Sequence, residues 1–263
     1  MVYMITLTDF FGIGGYERTP EGAWSFEHIF FTSGMILITI ILGIYLGIKY
    51  KQNHEVIKKT IVIAAIVINL IEIIKIVVLC IRSGDPLSTI LHTLPLFLCS
   101  IMLIALPLAA FTKGRLKEAC LDFILIFGFI AGVFGTVGAA QNYNAYPVLS
   151  IDNVSSAITH CISAFASIFI GITGISELKM KNMWITFSIL ITVVLLAQIA
   201  NIIVPYNYMF LEFHDGTPYS IFYDLVNGNL VLYKLIVVGL FVILIGIFYL
   251  IKTKVNVRHK SES

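Results

Sequence analysis

Cys99 lies in "HTLPLFLCSI", residues 92–101, an apolar run opened by a histidine and carrying Pro95, with a second proline at 107. A cysteine in such a place offers acyl-transfer chemistry: its thiolate attacks an ester carbonyl, holds the acyl group as a thioester and hands it on. A base must first take the thiol proton. His92 is seven residues before Cys99, roughly 10 Å away on a regular helix and beyond hydrogen-bond reach. His160, in "AITHCISAF", is the better general base. The Leu94-Pro95 step frees backbone groups near the sulfur, donors suited to an oxyanion. The opposing reading makes Cys99 a packing residue, the commoner fate of a cysteine in an apolar helix.

No metal pattern accompanies these residues. The other cysteines, Cys80, Cys120 and Cys161, form no CxxC with one another or with Cys99, and His160 and Cys161 point about 100° apart on a helix. A disulfide between Cys99 and Cys161 stays open. There is no glycine-rich phosphate loop, and no cofactor is expected.

The elements that carry these groups are membrane helices. Of 263 residues, 59% are hydrophobic and 12% charged, with mean hydropathy +0.96, far below the roughly 25% charge of a soluble domain. Apolar runs of about 20 residues mark spanning helices, and seven are expected, near 28–48, 60–81, 93–112, 121–140, 156–176, 184–204 and 230–251. The expected fold is all-α: residues 1–27 form an extracytoplasmic, interfacial segment, 28–251 a seven-helix bundle and 252–263 a cytoplasmic tail. The first segment has no basic start and carries its charges late, unlike a cleavable signal.

Lysine and arginine fix the direction, because they collect in cytoplasmic loops. Lys49, Lys51, Lys58 and Lys59 follow the first span, Lys113, Arg115 and Lys117 the third, Lys179 and Lys181 the fifth, and Lys252, Lys254, Arg258 and Lys260 the last. The opposite loops hold only Arg18 and Arg82, with Asp9, Glu17, Glu21, Glu27, Asp85, Asp152, Glu212, Asp215 and Asp224. The N-terminus is therefore expected outside and the C-terminus inside. A pI near 8.3 reflects this topology and not nucleic-acid binding, since the basic residues are dispersed without aromatic interleaving.

With direction set, most intramembrane polar residues fall in the outer half. At about 1.5 Å per residue, Glu72 and Lys75 lie roughly 10–15 Å below the outer end of the second span, Cys99 and His160 some 7–10 Å deep, and Gln198, Asn201 and Lys234 at about 6–10 Å. Ionisable groups at such depth face the bundle interior or water, so a polar cavity open to the outer leaflet is expected. Plainer readings stand beside this one. Glu72 and Lys75 are spaced to neutralise each other, Lys234 to snorkel, and Asn69, Gln198 and Asn201 to bond between helices. His28 sits at an interface, and His54, His214 and His259 in loops or tails. Gly128, Gly132, Gly135 and Gly138 make a small-residue stripe for close helix approach, while Trp184, Tyr206, Tyr208, Tyr219 and Tyr223 fit aromatic belts.

"EIIK", "LPLFLCSI", the histidine of "AITHCISAF" and "PYNYMFL", with Ser25-Phe26-Glu27-His28 before the first span, together resemble the transmembrane protein 164 family, including its bacterial YwaF-type members, over about residues 24–250. The resemblance implies a cysteine-dependent phospholipid acyltransferase, with Cys99 as the acyl-accepting nucleophile and His160 as its partner. The family's bacterial pattern often places histidine two residues before the cysteine; here Phe97 stands there, which leaves His92 as the substitute for a second ring nitrogen.

The leading expectation is a lipid acyltransferase or transacylase of the outer half of the bilayer, with phospholipid and lysophospholipid as substrates. Lys75 and Lys234 would hold phosphate, Glu72 would position Lys75 or an amine, and His92, Gln198, Asn201, Asn207 and Tyr208 would line the head-group pocket. An outward site argues against cytoplasmic acyl-CoA as donor and favours a second lipid. The rivals are a transporter binding solute at Glu72, Lys75 and His160, a lipid hydrolase using the same residues, and a scaffold without chemistry. Richness in Ile, Lys and Asn suggests a bacterial cytoplasmic membrane; oligomeric state stays open.

Overall fold

A computed structural model describes residues 7–212 and 219–261, with side chains over 8–212 and 219–253. His214 and Asp215 lie outside the described residues, as do the side chains of Lys254, Arg258, His259 and Lys260. The described chain is helical without strands and divides into two compact units, one of residues up to Leu94 with Phe127–Ile175, the other of Pro95–Ile126 with residues from Ser176 onward.

The first unit contains α1 (Leu7–Phe11), α2 (Phe26–Tyr50), α3 (His54–Ser83), α4 (Pro86–His92), the second half of α6 (Gly114–Val137), α7 (Ala140–Ala145) and α8 (Ile151–Thr173). Their limits follow from capping chemistry. Asn53, Asp85 and Ser150 accept from the backbone N–H groups of Val56, Ser88 and Asn153, and Pro86 occupies a first-turn position of α4, where its missing N–H costs nothing. Ser25 caps α2 by accepting from His28 N, while His28 Nδ1 accepts from Trp24 N at 2.9 Å. The arrangement resembles a capping box with histidine in the place of the usual glutamate, except that the ring reaches the N–H one residue before the N-cap, where Trp24 sits at φ 67°. The interfacial histidine of the sequence is thus fully buried, its ring 4.0 Å from that of Tyr143.

Helix α8 is the hub. It packs against α2, α3 and α7, and small residues set the spacing. A Cβ on Gly43 or Gly47 of α2 would come within 2.9 Å of Ile168 or Ile172. The α6 stripe approaches α8 as its spacing predicts: a Cβ on Gly128 would meet the Ser163 carbonyl at 2.6 Å, and one on Gly132 the His160 carbonyl at 2.5 Å. Gly138 lies past the end of the helix and takes no part in this approach; a Cβ there would meet the Phe134 carbonyl of its own chain turn.

The second unit holds the first half of α6, α5 (Met102–Phe111), α9 (Met183–Ile203), α10 (Ser220–Leu225) and α11 (Leu230–Ser261), with 3-10 turns at Met180–Asn182 and Tyr208–Phe210. Helix α11 packs on α9 and buries Tyr233, Val237, Phe241, Ile245 and Tyr249, one residue every four and hence one face. At its base Asp122 is buried but satisfied, accepting from Ser176 Oγ at 2.5 Å and Tyr249 Oη at 2.7 Å.

Six helices among the described residues are long and apolar enough to cross a membrane: Phe26–Tyr50, His54–Ser83, Gly114–Ala145, Ile151–Thr173, Met180–Ile203 and Leu230–Thr253. The seventh expected span, 93–112, is not one helix. After α4 ends at His92, residues 93–101 form turns, and α5 supplies only ten residues. Pro95 accounts for the break, since it lacks an N–H and pushes Leu94 out of helical backbone.

Candidate functional site

The break places Cys99 on non-helical backbone. The i−7 helical distance from His92 therefore does not apply, and both His92 and His160 fall in the unit that does not hold Cys99. None of the four cysteines is in a disulfide. The Cys99 Sγ lies 4.0 Å from Ser100 Oγ. Two residues earlier, the Phe97 ring packs on Tyr208 and Phe210 at centroid distances of 5.4 and 5.2 Å, and Phe210 stacks on Tyr219 at 5.1 Å. Burial first, and electrostatic interaction with nearby Cys99 next, raise the Tyr219 phenol above its ordinary range.

The turn after α9 is built around this aromatic group. Met209 and Phe210 have φ of 56° and 58°, a conformation costing about 1–3 kcal/mol for each non-glycine residue. Asn201 offsets that strain by bonding Tyr208 on both backbone atoms, Nδ2 to O at 3.1 Å and Oδ1 to N at 2.8 Å. Asn207 Oδ1 accepts from Glu212 N at 2.8 Å, and Tyr233 Oη donates to the Phe210 carbonyl at 2.6 Å. Asn201, Asn207 and Tyr208 thus shape the turn, with Tyr208 fully buried.

Lys234 does not snorkel outward alone. Its Nζ donates to Gln198 Oε1 at 2.7 Å and Glu212 Oε1 at 2.9 Å, and Gln198 Nε2 donates to the same Glu212 oxygen at 2.6 Å. In the first unit Glu72 and Lys75 pair at 2.6 Å, the i,i+3 contact their spacing predicts. His92 lines a cleft of about 320 Å³ with Arg82, Ser83, Asp85, Ser88 and Thr89. His160 is half-buried on α8, with Nδ1 3.3 Å from Ser156 Oγ. Among the described residues no group of three or more His, Cys, Asp or Glu side chains could hold a metal ion.

In the sequence Glu212, Asp152 and Arg82 read only as loop charges. Arg82 in fact forks onto Asp152, Nη1 to Oδ2 at 2.7 Å and Nη2 to Oδ1 at 2.6 Å, under the Tyr16 hydroxyl, which donates to Asp152 Oδ2 at 2.6 Å. The guanidinium lies 5.4 Å from the Tyr16 and Tyr146 ring centroids. With Glu21 accepting from Val148 N and Asn144 from Ala23 N, these contacts strap residues 16–23 onto the unit. Burial first, and the Asp152 carboxylate next, keep the Tyr16 phenol protonated well above its ordinary range. Its contribution is complete below about pH 10 and is lost as pH rises beyond that. Arg82→Ala leaves the Asp152 carboxylate without its cation and held by the Tyr16 hydroxyl, at a cost of about 2–3 kcal/mol, below the figure for a fully buried pair. Trypsin is expected to cut after Arg18 at least about tenfold faster in that variant near neutral pH.

The model of the TMEM164 family matches residues 23–252. No curated protein and no solved structure matches the chain.

Proposed function

The chain belongs to the TMEM164 family, and on that footing we propose that it is a membrane-embedded phospholipid acyltransferase with Cys99 as nucleophile and His160 as base. The observation that carries this reading is the position of Cys99 on the 93–101 break between α4 and α5. Non-helical backbone at membrane depth is tolerated only where protein buries it or it lines a wet cavity. A reactive thiol needs such a place, and a packing cysteine does not. Cys120 and Cys161, by contrast, are buried within regular helices.

His160 takes the thiol proton, and the thiolate adds to the carbonyl of a phospholipid ester. The carbon–oxygen bond breaks, the departing lysolipid oxygen receives the proton back from His160, and a thioester remains. In the second half a lysolipid hydroxyl gives its proton to His160 and attacks the thioester, the C–S bond breaks, and the thiolate is restored. Phospholipid and lysophospholipid are the donor and acceptor in this scheme.

The break also bears on topology. The alternating lysine clusters require residues 86–111 to cross the bilayer, giving seven crossings with the N-terminus outside. The ten helical residues of α5 span about 15 Å, half of a core of about 30 Å, so the crossing also uses α4 and the turns at 93–101. The site then opens to the outer leaflet of what composition suggests is a bacterial cytoplasmic membrane. The satisfied Glu72–Lys75 pair speaks against the transporter reading, which needs these two charges available for a solute.

Acyl-enzyme trapping tests the proposal. The purified protein, incubated with mixed bacterial phospholipids, is expected to gain a hydroxylamine-labile fatty-acyl mass. That adduct is expected to be absent in Cys99→Ala and retained in Cys161→Ala; an adduct surviving in Cys99→Ala overturns the assignment.

A further inference from the structure

Two histidines carry the same local device. Ser88 and His92, and Ser156 and His160, are each spaced S-x-x-x-H on one helix. His92 Nδ1 is 2.7 Å from the Ser88 carbonyl and 3.5 Å from the Ser88 hydroxyl. His160 Nδ1 is 3.3 Å from Ser156 Oγ, and the Ser156 carbonyl, four residues back on the same helix, faces the imidazole. A carbonyl only accepts, so the ring nitrogen that faces it carries the hydrogen. On a helix the carbonyl four residues back reaches the nearer nitrogen, Nδ1, as it does at His92.

At His160 a third contact completes the arrangement. A Cβ built on Gly135 of α6 would lie 2.3 Å from both Nε2 and Cδ2 and 2.9 Å from Cε1. Similar closeness to three atoms of one ring puts the glycine against the face of the imidazole, not in line with the Nε2 lone pair. The ring is held at one nitrogen by Ser156 and seated on bare backbone at its face. Among the described residues Nε2 makes no hydrogen bond with a protein group.

We propose that Ser156 and Gly135 are positioning residues that hold His160 as its Nδ1–H tautomer and present Nε2 as the proton-accepting nitrogen. The proposal rests on the reading of His160 as the base, but its first test does not use activity. Nitrogen NMR of histidine-labelled protein, with the His160 signals assigned by their loss in His160→Gln, is expected to show a protonated Nδ1 and an unprotonated Nε2 at pH 8. Gly135→Ala is expected to shift those signals and slow Cys99 acylation about 10- to 100-fold, the scale of a misplacement near 1 Å. Gly34→Ala, whose Cβ meets nothing within 4 Å, is expected to change neither. A wild-type spectrum with the proton on Nε2 overturns the inference, even if the Gly135 variant does not fold. So does a Gly135→Ala protein with unchanged signals and rate. Loss of the acyl-enzyme reading alone, with adducts independent of Cys99, leaves the tautomer result standing as a separate finding.

Discussion

Cys99→Ala is expected to lower lipid acyl transfer by at least about 10³-fold while leaving the folded protein intact. Removing a nucleophile eliminates the covalent route, and what remains is the catalysis that binding and local dipoles supply to the uncatalysed path. The thiol is small and only partly buried, so its loss leaves no large cavity. His160→Ala should cost about 10²–10⁴-fold, the range of a general base. Glu72→Ala separates the enzyme from the transporter. Its carboxylate neutralises Lys75 on the same helix face, and in an enzyme its loss should reduce turnover only a few-fold, whereas a solute-coupled transporter should lose uptake. Radiolabelled acyl transfer between lipids in nanodiscs, with uptake in proteoliposomes from the same preparations, gives both readings. Full transfer activity in Cys99→Ala would end the acyl-enzyme account.

What is legible in the sequence, and what is hidden, divides along physical lines. Six spans can be read because lipid demands about 20 apolar residues in a row, and the helices extend only a few residues beyond the apolar runs in most cases. The seventh fails because 93–112 is as apolar as the others: hydropathy measures transfer to lipid and is blind to whether the backbone stays helical. Pro95 is the available signal, but a proline in an apolar run fits a local release of hydrogen bonds as well as the complete interruption it makes here. Neighbours within one helix, and stripes along one face, are also legible. Glu72–Lys75, and the glycines at 128, 132 and 135, need only helical spacing. The S-x-x-x-H pairs are open to the same arithmetic, yet a histidine's distance from sulfur, the quantity that catalysis brings forward, says nothing of what fixes its ring. Contacts between segments are hidden. Glu212 meets Lys234 only because the turn at 207–212 folds back, and that turn depends on Asn201 holding two left-handed residues in place. No local pattern announces that Asp152 will be shared by an arginine from α3 and a tyrosine from the N-terminal segment.

Gly132→Val is expected to be the most destabilising single substitution in the first unit. A Cβ there would lie 2.5 Å from the His160 carbonyl, 2.7 Å from the Ala164 Cβ and 2.9 Å from the Ala164 nitrogen. Two of the three obstacles are backbone atoms of α8, which cannot turn aside as a side chain can, so α6 and α8 must separate. Separation is costly because helices in lipid associate through close packing and not through a hydrophobic drive; lipid tails that fill the widened seam restore little of the packing between the helices. Overpacking in well-packed cores costs about 1–3 kcal/mol and occasionally more, and a branched residue against backbone belongs at or above the upper end. The same displacement carries the His160 ring away from Gly135, since both residues of α6 rest on the same stretch of α8. Thermal unfolding in detergent should therefore show a lower midpoint for Gly132→Val than for Gly34→Val, and acylation of Cys99 in the surviving folded fraction should fall with it. An unchanged midpoint would mean that α6 and α8 do not approach as closely as the stripe requires, and the seat proposed for His160 would lose its floor.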